Sequence, residues 1–161
     1  MLRTKRSVAV PLTLFAALLL TACAGGPRRT PDVTAADAFP GGGIAASALA
    51  QLGRPYRYGG NGPESFDCSG LVRFAHAAHG ITVPRTTAEQ FRAARPVPVT
   101  QLQAGDVLFF RLDNDAKVSH VAIYTGDGRF VHAPQSGRSV ESRQLDDPWY
   151  RRRLTGAGRL Y

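Results

Sequence analysis

His120-Val121-Ala122-Ile123-Tyr124-Thr125-Gly126-Asp127-Gly128-Arg129-Phe130-Val131-His132-Ala133 is the stretch on which the reading of the fold turns. From His120 to Tyr124 the side chains alternate: His120, Ala122 and Tyr124 share one face, Val121 and Ile123 the other, the period of a strand. Gly126-Asp127-Gly128 tolerates the backbone angles of a tight turn, and residues 129–133 resume the β-rich composition, so the stretch predicts an antiparallel hairpin. Outward from it, residues 106–112 and 139–143 are further short runs bounded by turn formers, and residues 152–161 supply a last strand. The expectation is an antiparallel sheet of about five strands.

Upstream the period changes. Residues 44–52 are apolar at Ile44, Ala48, Leu49 and Leu52, a helical spacing stopped by Gly53. Residues 54–65 hold Gly59-Gly60-Asn61-Gly62 and read as an ordered loop. A second helix is expected over residues 68–79, with Cys68, Leu71, Val72, Ala75 and His79 on one side and Gly80 as its stop. Thr86-Thr87-Ala88-Glu89 has the spacing of a capping box and opens a third helix to about Ala94. Helices followed by a meander make an α+β fold with the helices packed on one face of the sheet.

The chain has 161 residues, 43% hydrophobic and 20% charged, room for one domain with a real core. Its net charge is +8, with Arg3, Lys5 and Arg6 in a leader that has no acidic residue before Asp32. The excess suits an anionic polymer or membrane surface as well as nucleic acid. After the positive start, residues 8–20 form a mostly apolar run interrupted by Pro11, too short to span a bilayer, and residues 1–22 read as an export signal. Leu20-Thr21-Ala22-Cys23 resembles a bacterial lipobox, which implies that Cys23 becomes the lipid-bearing first residue of the mature protein. Residues 24–43, with five Gly and three Pro, read as a flexible tether to a domain over residues 44–161.

With Cys23 lipidated, Cys68 is an exported thiol without a disulfide partner. At the first turn of its helix, the backbone N–H groups and the helix dipole favour a thiolate, although the same position also suits a small buried apolar residue. His120, at the exposed end of a core strand, is a candidate general base, and His132 across the hairpin is a candidate to orient it. His76 and His79 are spaced like a metal pair but lack a third ligand, and no metal site is assigned. Asp113-Asn114-Asp115 reads as a solvated turn, and Arg151-Arg152-Arg153 as strand residues with exposed charge.

Pro55-Tyr56-Arg57-Tyr58-Gly59-Gly60, Phe66-Asp67-Cys68-Ser69-Gly70-Leu71-Val72, Gly105-Asp106-Val107-Leu108-Phe109-Phe110 and Ser119-His120-Val121-Ala122-Ile123-Tyr124, in this order, resemble the NlpC-type peptidoglycan endopeptidases over residues 44–161. The resemblance implies a papain-like α+β fold and hydrolysis of peptide bonds in bacterial cell-wall stem peptides. By motif, Cys68 matches the nucleophile, His120 the base, His132 the third polar residue and Tyr56 the oxyanion-binding tyrosine. Asp67 and Ser69 match positions flanking the Cys that line the substrate cleft, and Arg85 is a further candidate there. Tyr58 departs from the Trp of many members. The chemistry implied needs no metal or cofactor, and the partners implied are stem peptides and, through the lipid, a membrane, with no nucleic acid; a monomer on the periplasmic face of an outer membrane is expected. Cleavage of the D-alanine–diaminopimelate cross-link is favoured over the γ-D-glutamyl–diaminopimelate bond. A non-catalytic wall-binding lipoprotein, or a thiol-dependent amidase or acyltransferase, are the other readings.

Overall fold

The computed structural model describes residues 40–112 and 117–161; the leader, Cys23, most of the tether and the Asp113-Asn114-Asp115 turn lie outside the described residues. Three helices, α1 (Pro40–Leu49), α2 (Cys68–Ala77) and α3 (Thr87–Ala93), come first. Strands β1 (Arg95–Pro96), β2 (Val107–Phe110), β3 (His120–Gly126), β4 (Arg129–His132) and β5 (Glu141–Gln144) follow, then a short helix α4 (Pro148–Arg151) and β6 (Leu154–Arg159). The sheet is antiparallel in the order β1-β6-β2-β3-β4-β5.

The hairpin forms where the alternation predicts it. Gly126 pairs with Arg129, and between them Asp127 (φ 50°) and Gly128 (φ 71°) make the two-residue turn whose twist matches the flanking strands. Six strands stand against the expected five or so. The addition, β1, is only the pairing of Arg95 with Arg159 and Pro96 with Gly158, an edge position where proline costs no ladder hydrogen bond. Two residues carry no periodicity to read.

Strand β2 is buried on both faces. Val107 and Phe109 join Val121, Ile123 and Val131 against Ile44 and Ala48 of α1 and Leu71, Val72 and Ala75 of α2. On the other face Leu108, Phe110, Ala122, Phe130 and Ala157 meet Tyr150 of α4. The three expected helices share one face, with Phe91 of α3 stacked edge-on against Phe109, and α4, which the sequence did not announce, covers the other. Asp147 caps α4 by accepting from the Trp149 N–H at 2.7 Å, with Pro148 in its first turn, so Arg151 ends a helix and Arg152 and Arg153 form a turn rather than strand.

Helix α1 begins at Pro40, four residues before the expected start and inside the stretch read as tether. Its first turn packs closely on the sheet: a Cβ on Gly41 would collide with the Ala104 carbonyl and the Tyr161 ring. This glycine is a packing residue. At the far end of the sheet Asp106, fully buried, accepts from Arg159 Nε at 2.6 Å and Nη2 at 2.8 Å and from the Gln103 N–H at 2.8 Å.

Candidate active site

Cys68 is the first residue of α2, and Asp67 before it is the N-cap, accepting from the Gly70 N–H at 2.7 Å. The same carboxylate does more than cap. Its Oδ2 accepts the Gly59 N–H at 3.0 Å, binding the Tyr56–Gly60 loop to the helix start. Arg85 donates to both its oxygens, at 3.0 and 2.6 Å, and to Ser69 Oγ at 3.0 Å. The three residues assigned to the cleft wall are thus one bonded cluster. Helix α3 is docked behind it by Gln90, which is buried and donates to the Ser69 and Pro84 carbonyls at 3.0 and 2.8 Å. The predicted capping box, Thr86 with Glu89, opens α3.

These elements enclose a cleft of about 430 Å³ lined by Tyr56, Tyr58, Cys68, Ser69, Arg85, Thr87 and Ser119, with Asp67 as its one acid among the lining residues. Tyr56 is half-buried, its hydroxyl pushed above the ordinary phenol range by burial and by neighbouring Cys68 and Asp67. Tyr58 stands 88% exposed at the rim.

The thiol departs from expectation in its acidity. Burial pushes the Cys68 thiol up, the nearby Asp67 charge adds to this, and hydrogen bonds from Thr87 and the Val121 and Ser69 backbone offset it only in part. The resting group is a neutral thiol rather than a thiolate favoured by the helix start. Its side-chain hydrogen bond goes to Thr87 Oγ1 at 3.6 Å and not to His120. The sulfur meets β3 at the His120–Val121 peptide, where the Val121 backbone is one of its partners.

His120 is buried, 3% exposed, rather than at an exposed strand end. Its ring lies on the α4 face of the sheet, 6.2 Å between centroids from Phe110, because β3 enters the sheet between β2 and β4 with Phe110 opposite His120. Its Nε2 is 2.9 Å from His132 Nδ1. The β3–β4 register, Tyr124 with Phe130 and Ile123 with Val131, puts the two rings diagonally on one face, within reach of each other. Burial holds His120 down at about 4 and, with the charges of His120, Arg143 and Arg138, holds His132 down at about 2. Both rings are therefore neutral at pH 7. A neutral imidazole can take a proton on whichever ring nitrogen holds its lone pair, so the His120–His132 pair is a candidate general base for the thiol that meets β3 at Val121.

Three residues at this site escaped the sequence. Thr87 bonds the thiol, and Glu141 Oε1 and Tyr150 Oη each lie 3.3 Å from His132 Nε2. Thr87 carried a signal, since it begins the capped helix that follows Arg85; nothing local marks the other two. The second histidine pair is also resolved. α2 ends at Ala77, two residues early, so His79 leaves the apolar side and bonds Ser47 Oγ at 3.0 Å, while buried His76 bonds the Val72 carbonyl at 2.8 Å through Nδ1.

The family model described as the NlpC/P60 family matches residues 53–159. The chain is 37% identical over 116 residues to a protein named murein DD-endopeptidase MepH from Escherichia coli, covering 70% of this chain and 43% of that one. It is 42% identical over 109 residues to a gamma-D-glutamyl-L-lysine dipeptidyl-peptidase from Bacillus cereus, covering 67% and 33%. The crystal structure of an NlpC/P60 family protein from Bacillus cereus superposes with a TM-score of 0.69 at 39% identity, over 73% of this chain and 39% of that one. The chain spans less than half the length of these relatives.

Proposed function

Since the chain belongs to the NlpC/P60 family, we propose that it is a cysteine peptidase that hydrolyses peptide bonds of bacterial cell-wall peptidoglycan. The observation that carries this reading is that the Cys68 thiol, on the first turn of α2, meets the β3 backbone at Val121, the residue after His120, whose neutral ring is paired with His132. His120 takes the thiol proton on Nδ1 as sulfur attacks a stem-peptide carbonyl carbon. The oxyanion meets the Cys68 backbone N–H, one of the orphan donors of a helix start, and the Tyr56 hydroxyl. His120 returns the proton to the leaving amine, and water, deprotonated by the same ring, then cleaves the thioester. No step in this sequence calls on a metal or cofactor.

For the bond cut, the cross-link between D-alanine and diaminopimelate is preferred. The relative named murein DD-endopeptidase supports this. So does the cleft: a free N-terminal amine in the stem would want an open carboxylate, and Asp67 is already taken by Arg85. Digestion of purified sacculi, with fragments identified by mass spectrometry, tests the reading. Cross-linked dimers should yield intact tetrapeptide monomers. Cuts within the stem with the cross-link retained would overturn the bond choice, and no release of fragments would overturn the peptidase reading.

We further propose that Cys23 is lipidated and tethers the domain to the periplasmic face of an outer membrane, on the support of the leader, Leu20-Thr21-Ala22-Cys23 and the Gly/Pro segment after it. Cys23→Ser should move the protein from the membrane to the soluble fraction with its hydrolase activity retained. Native protein found soluble with Cys23 unmodified would refute this.

A further inference from the structure

The His120–His132 pair has a direction that its own geometry leaves undecided. At 2.9 Å between His120 Nε2 and His132 Nδ1, either nitrogen can be the donor. If His120 donates, its Nδ1 keeps the lone pair and can take a proton from the thiol. If His132 donates, His120 Nδ1 carries a hydrogen and cannot. What settles the direction sits at the other end of His132.

We propose that Glu141 is a positioning residue that holds the proton of His132 on Nε2 and thereby leaves His120 Nδ1 free to act as a base. The β4–β5 register sets Glu141 directly opposite His132, and its Oε1 lies 3.3 Å from His132 Nε2. The carboxylate is itself held: Arg138 donates to Oε2 at 2.6 Å and Arg143 to Oε1 at 2.9 Å. Tyr150 Oη is the hydrogen-bond partner of Nε2, at 3.3 Å, with the Glu141 carboxylate beside it at ion-pair distance. A hydroxyl can donate or accept, so Tyr150 accommodates either arrangement, whereas an ionised carboxylate only accepts. A lone pair on Nε2 would face that carboxylate acceptor to acceptor, on a ring that is 1% exposed and against a carboxylate that Arg138 and Arg143 hold in place. Nε2 therefore carries the hydrogen, Nδ1 accepts from His120 Nε2, and the lone pair appears on His120 Nδ1. No net charge moves; only the tautomers are chosen. Without Glu141, the Tyr150 hydroxyl is free to donate to Nε2 and the whole series can reverse.

The catalytic consequence rests on the peptidase reading, but the tautomers do not, and the experiment keeps the two apart. In the full chain labelled with 15N at histidine, two-bond 1H–15N correlation spectra at neutral pH should show His120 and His132 both protonated on Nε2. In Glu141→Met, a side chain of similar length without the carboxylate, both rings should shift together toward the Nδ1-protonated form, with Glu141→Ala as the second variant and the His79 signals as a check on the fold. In the same variants kcat on cross-linked muropeptides should fall about ten- to a hundredfold, with KM within about twofold. Tyr150→Phe should keep the wild-type tautomers. The proposal is overturned if the Glu141 variants leave both rings protonated on Nε2, or if Tyr150→Phe alone reverses them. A wild-type chain that cuts no wall peptide, yet whose tautomers respond to Glu141 as stated, would sink the peptidase reading and leave the role of Glu141 standing.

Discussion

Lowering the pH from 7 to 5 is expected to cost the folded state roughly 4 kcal/mol through His120 and His132 alone. Burial first, and for His132 also the charges of His120, Arg143 and Arg138, holds the two rings at about 4 and about 2, against an ordinary value of 6.5. Because the folded values are depressed, the unfolded chain binds more protons than the folded one below about pH 6.5, so stability falls as pH falls. Between pH 7 and 5 each ring contributes roughly 2 kcal/mol, a large share of the 5 to 15 kcal/mol typical of a domain. The groups facing the pair are Glu141, Arg138, Arg143 and Tyr150, and they remain in a His120→Gln/His132→Gln variant, whose other titrations cancel in the comparison. Urea unfolding of both proteins at pH 7 and 5, followed by Trp149 fluorescence, measures the effect. The wild type should lose roughly 4 kcal/mol more than the variant over this range. A difference below about 1 kcal/mol would show that the rings are not held neutral by burial, and the reasoning would fail. The kinetic counterpart is an acid limb of kcat/KM near pH 4 rather than 6.5, since the base stays unprotonated across the neutral range.

Cys68→Ala and His120→Ala should each abolish release of muropeptides while circular dichroism stays native; His132→Ala should leave residual activity, and a Cys68→Ala protein that still digests sacculi would refute the nucleophile. Thr87→Val should slow iodoacetamide alkylation of Cys68 several-fold, because the thiol loses a hydrogen bond that favours its anion, and Thr87→Ser should restore the rate. Asp106→Ala should cost about 3 to 5 kcal/mol in denaturant melts, since it strands Arg159 and the Gln103 N–H at a buried site. Gly41→Ala should cost about 1 to 3 kcal/mol by forcing α1 away from Ala104 and Tyr161, and an unchanged Tm would return residues 40–43 to the tether.

The features legible in the sequence are those written in consecutive residues. Alternation over residues 120–124 and Asp127-Gly128 specify a hairpin because side-chain period and turn angles are local properties of the backbone. The start of α2 and the capping box of α3 are legible for the same reason: a cap satisfies N–H groups two or three residues away. The motifs around Tyr56 and Cys68 contain residues that line the cleft, because each motif is a run of consecutive residues. Other features depend on residues far apart in sequence. Gly41 has no room for a side chain because Ala104 and Tyr161 lie against it, and β1 is a strand only because Arg159 and Gly158 come to pair with it. The face on which His120 sits, its burial and the neutral thiol follow from what packs above the sheet, and burial is a sum over neighbours that no window of sequence contains. Sequence alone singled out Cys68, His120 and His132 as candidates for nucleophile, base and orienter; the register of β4 against β5, nine residues from His132 to Glu141 along the chain and directly opposite across the sheet, decided which acceptor faces the His132 ring.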